Sequence, residues 1–133
     1  PYQFRVDNIR CYHSGQSFVE GLVLENPNPH SGINGMRVRM SANPNGSPAG
    51  PDNKTEDHSL RDTRFIGVYS GYFSFMVNDT GSALGQTRYV WVVDANGKPL
   101  SDPSTAKAVF NNQQGSENPN ACWNVQIIFV KVQ

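Results

Sequence analysis

Three histidines, His13, His30 and His58, are the residues of this 133-residue chain best suited to proton transfer or metal ligation. Each stands in its own polar stretch, with no His-Glu-x-x-His and no second ligand two or four residues on. They are therefore expected to be solvated loop residues. A hydrolase nucleophile would sit in a Gly-x-Ser-x-Gly elbow, which the chain lacks. The acidic residues are scattered, and nothing in their spacing marks two of them as an acid/base couple. A protein that does not catalyse is the expectation.

Two kinds of binding chemistry remain. Asp52, Glu56, Asp57 and Asp62 share one polar stretch, and hard cations such as calcium are held by oxygens of this kind. No Asp-x-Asp-x-Asp-Gly loop is present, and Asx residues also abound in loops because they build turns, so no cofactor is expected and calcium is the one candidate ion. Sugar recognition needs exposed aromatic faces rimmed by polar groups. Trp91, Trp123, Tyr69 and Tyr72, with Tyr12 and Tyr89, can supply rings, whereas Trp91 and Trp123 lie in the two most apolar runs and have core packing as their plainer role. Asn45, Asn53 and Asn78 each open a glycosylation triplet within a predicted loop.

Eleven basic and eleven acidic residues leave no net charge, and the four lysines, Lys54, Lys98, Lys107 and Lys131, are dispersed. Without a basic cluster the chain lacks the charge that dominates nucleic-acid affinity. The longest apolar run, Ile127 to Val130, is far shorter than the roughly 20 residues of a membrane span, so a soluble chain is expected. It begins at Pro1 without an initiating Met, as a mature protein or a piece of a longer one would. Cys11 ends the first extended run and Cys122 starts the last. If those runs are antiparallel neighbours, the two sulfurs meet in a disulfide. The alternative is a pair of buried thiols in a reducing compartment.

Positioning these residues falls to short extended runs. Tyr2 to Cys11 has Phe4 and Val6 on one parity and Ile9 on the other, which predicts a bulge near Asp7-Asn8. Phe18 to Glu25 and Gly35 to Ser41, joined by Asn26 to Asn34, are predicted to form a hairpin. Ala42 to Thr63, almost without apolar residues, is expected to be a long surface loop. Further strands are expected at Arg64 to Tyr69 and Gly71 to Val77, as two strands or one bent at Ser70-Gly71. Others are expected at Thr87 to Val93, at Ala106 to Phe110 on an edge, and at Trp123 to Val132 in the centre. Asp94 to Gly97 is an Asn-Gly turn. No 3.6-residue period persists for two turns, so the chain is predicted to be one all-β domain over residues 1–133. Its expected form is an antiparallel Greek-key sandwich, Ig-like or prealbumin-like, of seven to nine strands.

Val19-Glu-Gly-Leu-Val23, Ile33-Asn-Gly-Met-Arg-Val-Arg-Met-Ser41, Gly71-Tyr-Phe-Ser-Phe75 and Tyr89-Val-Trp-Val-Val93 resemble the carboxypeptidase regulatory-like and collagen-adhesin B-type modules. The likeness covers about Phe18 to Val93. It implies a prealbumin-like sandwich serving as an accessory module of secreted and surface bacterial proteins, one that spaces, stiffens or adheres. The enlarged turn after Glu25 and the long stretch from Ala42 depart from the family pattern. The internal Lys-to-Asn cross-link of some adhesin modules needs a first-strand lysine that Tyr2 to Cys11 does not contain. The expected role is thus a non-catalytic extracellular or cell-surface building unit whose partners are copies of itself or neighbouring domains. Glycan binding is the alternative, and neither a nucleic-acid partner nor a membrane span is expected.

Overall fold

Successive strand side chains point to opposite faces of a sheet, so the apolar pattern of each run decides which of its faces are covered. The computed structural model describes residues 2–12, 17–78, 85–110 and 122–132, without the Asn78 side chain. Ten strand segments follow one another: β1 (Phe4–Tyr12), β2 (Ser17–Pro27), β3 (His30–Gly32), β4 (Arg37–Ser41), β5 (Asn53–Lys54), β6 (Glu56–Ser59), β7 (Val68–Asn78), β8 (Thr87–Val93), β9 (Lys107–Val109) and β10 (Asn124–Lys131). No helix occurs among the described residues. One sheet runs β1-β10-β2-β7-β6, with β3 alongside β2, and the other runs β5-β4-β8-β9. The expected count of seven to nine is exceeded because strands as short as β3 and β5 leave no periodicity in a sequence.

Between the sheets lies one core, to which Val19 and Val23 of β2, Val38 and Met40 of β4, Phe73 and Phe75 of β7, Val90 and Val92 of β8, and Val125, Ile127 and Phe129 of β10 contribute. A second, smaller cluster covers the outer face of the larger sheet, where Leu22, Leu24, Tyr72, Ile128 and Val130 meet Leu60, Phe65 and Tyr69. The larger sheet is therefore apolar on both faces at its centre. That accounts for the unbroken apolar runs of β2 and β10.

Three sequence expectations need correction. β2 and β4 do not form a hairpin: β2 pairs with β10, β7 and β3, whereas β4 pairs with β5 and β8 in the opposite sheet. Two of the partners of β2, β7 and β10, come from far along the chain, and the Asn26 to Asn34 connection carries the chain across to the other layer. Nor is the sandwich wholly antiparallel, since β10 runs parallel to β2. Lastly, the stretch from Ala42 to Thr63 does join the core. It contains β5 and β6, and Thr55, Leu60 and Asp62 are buried.

Thr55 is the corner where the chain passes from one sheet to the other. Its Oγ1 donates to the Ile33 carbonyl and accepts from the Met36 N–H, its N–H reaches the Met36 carbonyl, and its carbonyl receives the Gly35 N–H. Other expectations hold. The register of β1 against β10 slips between Val6 and Asn8, which is the bulge. β7 is one strand bent at Gly71, at φ +81°, where the Asn34 side chain accepts its N–H, but it starts at Val68, and the strand expected from Arg64 is not formed over residues 64–67. β9 is an edge strand, and Gly97 closes the turn after β8 with φ +82°.

Candidate functional site

The most concentrated polar chemistry lies in the middle of the larger sheet, on its outer face beside the smaller apolar cluster. Register places Arg10 beside Gln126, Gln126 beside Glu20 and Glu20 beside Ser74, so one polar row crosses β1, β10, β2 and β7. Glu20 and Gln126 are fully buried. Lying across the row is the strap from Leu60 to Phe65, which brings a second buried carboxylate, Asp62.

Every lone-pair direction of Glu20 is engaged. Oε2 accepts from the Tyr12 hydroxyl at 2.6 Å and the Asp62 N–H at 3.2 Å, and Oε1 from the Tyr72 hydroxyl at 2.9 Å and the Arg61 N–H at 3.0 Å. Asp62 meets the Arg10 guanidinium at 2.7 Å, accepts from Gln126 Nε2 at 2.9 Å, and takes the Arg64 N–H and Nε on its other oxygen. Arg61 also lays its guanidinium 3.7 Å over the Phe18 ring. Burial, reinforced by the Glu20 charge, pushes both the Tyr12 and the Tyr72 phenols well above the usual tyrosine range. Two carboxylates side by side invite an acid/base interpretation. Their oxygens are nevertheless filled with donors from the chain itself and covered by the strap, which leaves no position for a reacting atom. The arrangement is a latch that fastens residues 60–65 to the sheet.

A second charged group lies on the outer face of the smaller sheet. Asp52 bridges Arg37 at 2.6 Å and Arg39 at 2.8 Å, and Arg37 also donates to the Ala95 carbonyl at 2.7 Å. The Arg39 and Arg37 hydrogen bonds outweigh burial and hold the Asp52 carboxyl below its ordinary value of 3.8. An open cavity of about 340 Å³ beside this bridge is lined by Gly35, Met36, Arg37, Lys54, Val93 and Asp94, among others. Because the folded chain binds the Asp52 proton less readily than the unfolded chain, the stabilisation is complete above pH 3.8 and disappears as pH falls through the depressed folded value. Asp52→Asn is expected to cost about 1–2 kcal/mol at pH 7. In urea unfolding, the gap between variant and parent should shrink toward zero near pH 2.

The residues singled out from sequence are placed as follows. Cys11 and Cys122 form a disulfide with a Cα–Cα distance of 5.1 Å. Asp52, Glu56, Asp57 and Asp62 do not converge: Asp52 holds two arginines, Asp57 accepts from Asn34 and Ser70, Asp62 is in the latch, and Glu56 is exposed. No cluster of three metal-ligating side chains occurs among the described residues. Trp91 and Tyr72 are buried and belong to different sheets, while Tyr69 and Trp123 are half-buried, so the four rings do not make one exposed platform. Of the glycosylation candidates, Asn45 is exposed in a turn, and Asn53 is half-buried with its Oδ1 on the Ser74 N–H and its triplet threonine, Thr55, in the core. The triplet at Asn78 and the residue His13 lie outside the described side chains.

His30 and His58 are strand residues in contact with rings, a correction to the loop expectation. His58 stacks on Tyr72 at 4.7 Å, and His30 joins Phe65 and Tyr69 in a corner whose rings meet edge-on or tilted at 5.4–5.7 Å. The chain matches no family model, no curated protein and no solved structure. No helix among the described residues is long and apolar enough to cross a membrane.

Proposed function

We propose that this chain is a non-catalytic extracellular module, a structural or adhesive building unit of a surface array, filament or multi-domain surface protein. What supports the reading above all is the place of the Cys11–Cys122 bridge. β1 and β10 are antiparallel neighbours, with Phe4 opposite Lys131 at one end and Tyr12 opposite Asn124 at the other, so both chain ends leave from the same end of this strand pair. The disulfide ties the pair at its far end. Tension between the ends peels β1 from β10 one residue at a time and stops at the sulfurs, leaving the chain between them, a sequence separation of 111, unloaded. Disulfides persist in oxidising compartments, in keeping with an extracellular setting.

Single-molecule stretching from residues 1 and 133 tests the role. With the bridge intact, only the ten residues before Cys11 and the eleven after Cys122 can extend, a gain of at most about 70 Å. After reduction the whole chain extends, to about 450 Å. Full extension of the oxidised protein at low force would remove the load-bearing role. Glycan recognition is the second reading, and the observation in its favour is the half-exposed Tyr69 corner beside the Asn34, Asp57 and Ser70 polar groups. Saturable polysaccharide binding lost in Tyr69→Ala would be its signature.

A further inference from the structure

We propose that copies of this chain join head to tail through the two outer edges of the larger sheet, β1 of one copy adding to β6 of the next. The inference rests on the building-unit role above and supplies its contact.

Strand direction makes the junction possible. β10 and β2 run together, β1 runs against β10, and β6 runs against β7, which itself runs against β2. β1 and β6 are therefore antiparallel to one another at opposite margins of one sheet. A copy displaced sideways, without being turned over, sets its β6 antiparallel to β1, and the alternation of strand directions continues across the junction.

Both margins have backbone groups to offer. The Val132 N–H donates to the Gln3 carbonyl, whereas the Phe4 N–H turns away from β10 to the Leu100 carbonyl. Antiparallel pairing alternates, so Val6 also faces outward; past the bulge, Asn8 opposite Ile128 returns inward and Ile9 and Cys11 face out. Among the described residues, no backbone group pairs with Val6, Ile9 or Cys11 on that side, nor with the outer side of β6.

Charge selects which margins meet. β6 exposes Glu56 and Asp57 and has no arginine or lysine, while β1 carries Arg5, paired with its own Asp7 at 3.1 Å, and Arg10, whose guanidinium is held by the buried Asp62. Joining β1 to β1 would set bulge against bulge and arginine near arginine, and β6 to β6 would gather four carboxylates. Only the unlike pairing avoids gathering like charges, and it sets the β6 carboxylates against the margin that holds Arg5, the more exposed of the two β1 arginines. Because the two surfaces differ, nothing terminates the series at two, and the product is an open polymer.

The oxidised 133-residue protein is followed by sedimentation velocity and electron microscopy over a hundredfold range of concentration. Species growing continuously into filaments are expected. Ile9→Pro removes an outward N–H that no backbone partner among the described residues uses, and proline is tolerated at such an edge. It should stay monomeric with an unaltered melting curve, and as a minor additive it should shorten wild-type filaments, because its β6 margin still caps a growing end. Glu56→Lys, at an exposed position, should raise the concentration needed for assembly at least tenfold, and it decides the matter if Ile9→Pro does not fold. A protein that stays monomeric throughout, assembly that stops at dimers, or polymers indifferent to Glu56→Lys would each overturn the proposal. Monomers that still resist extension at the disulfide would leave the load-bearing role intact and remove only this contact.

Discussion

Glu20→Ala is expected to lower the stability of the folded chain by roughly 3–5 kcal/mol, a third or more of what a domain of this size possesses. The substitution leaves the Tyr12 and Tyr72 hydroxyls and the Arg61 and Asp62 N–H groups without their acceptor, and each buried donor left unmet costs about 1–3 kcal/mol. Tyr12 and Arg61 lie near enough to solvent to recover part of that through water, hence a total below the simple sum. Urea unfolding measures the loss directly, and a cost under 1 kcal/mol would show that the strap is held by Leu60 and Phe65 packing alone. Glu20→Gln separates charge from shape: one amide oxygen still accepts, while the amide nitrogen meets donors that cannot receive it, so an intermediate cost is expected. A second readout follows from the phenols. Their ionisation in the folded state is pushed above the ordinary value of 10, so stability is full below pH 10 and declines as pH rises beyond it, when the unfolded chain alone loses these protons. Burial is the larger cause and the Glu20 charge the next, so the alkaline decline should be shallower in Glu20→Gln, though not abolished.

The latch was missed in reading the sequence, although part of its signal is there. Glu20 interrupts the run from Phe18 to Leu24, and Gln126 interrupts that from Val125 to Val130. A charged or amide side chain at the centre of a strand apolar on both parities must be buried, and a buried polar group needs partners. What sequence did not supply is Asp62. Its neighbours Arg61 and Thr63 read as loop, and only tertiary pairing shows that this loop is folded back over β2 and β10. The hairpin expected between β2 and β4 failed for a related reason. Alternation records how many faces of a strand are covered but not which strand lies beside it, and the partners of β2, β7 and β10, are some 50 and 100 residues distant. Turn chemistry was more dependable, being local: the Asp94 to Gly97 turn is closed by the Asp94 side chain accepting from the Lys98 and Asn96 N–H groups, which also hold its carboxyl below the usual range. Val19-Glu-Gly-Leu-Val23 is sequence-legible in another sense. Gly21 has an ordinary strand conformation, yet a side chain there would run into the Ile127 carbonyl and the Phe73 ring, so the glycine reports the close approach of β2 and β10.

Removal of the Cys11–Cys122 bridge is expected to cost about 4–5 kcal/mol, since the crosslink withholds from the unfolded chain the freedom of a loop more than a hundred residues long. Cys11→Ser combined with Cys122→Ala suits the two environments, the first cysteine being exposed and the second buried. The comparison is the urea midpoint and slope of this variant against the oxidised parent. A steeper slope is expected alongside the lower midpoint, because the unbridged chain expands further and exposes more surface when it unfolds. The single substitutions discriminate the cause. If the bridge acts by closing the loop, either one alone forfeits the whole effect, and the double variant loses little more than each single. If the sulfurs contribute mainly by packing, the buried Cys122 carries nearly all of the loss, Cys11→Ser costs well under 1 kcal/mol, and the two changes add. Either pattern leaves the mechanical stop in place, because the covalent bond blocks extension whatever share of the folding stability it supplies.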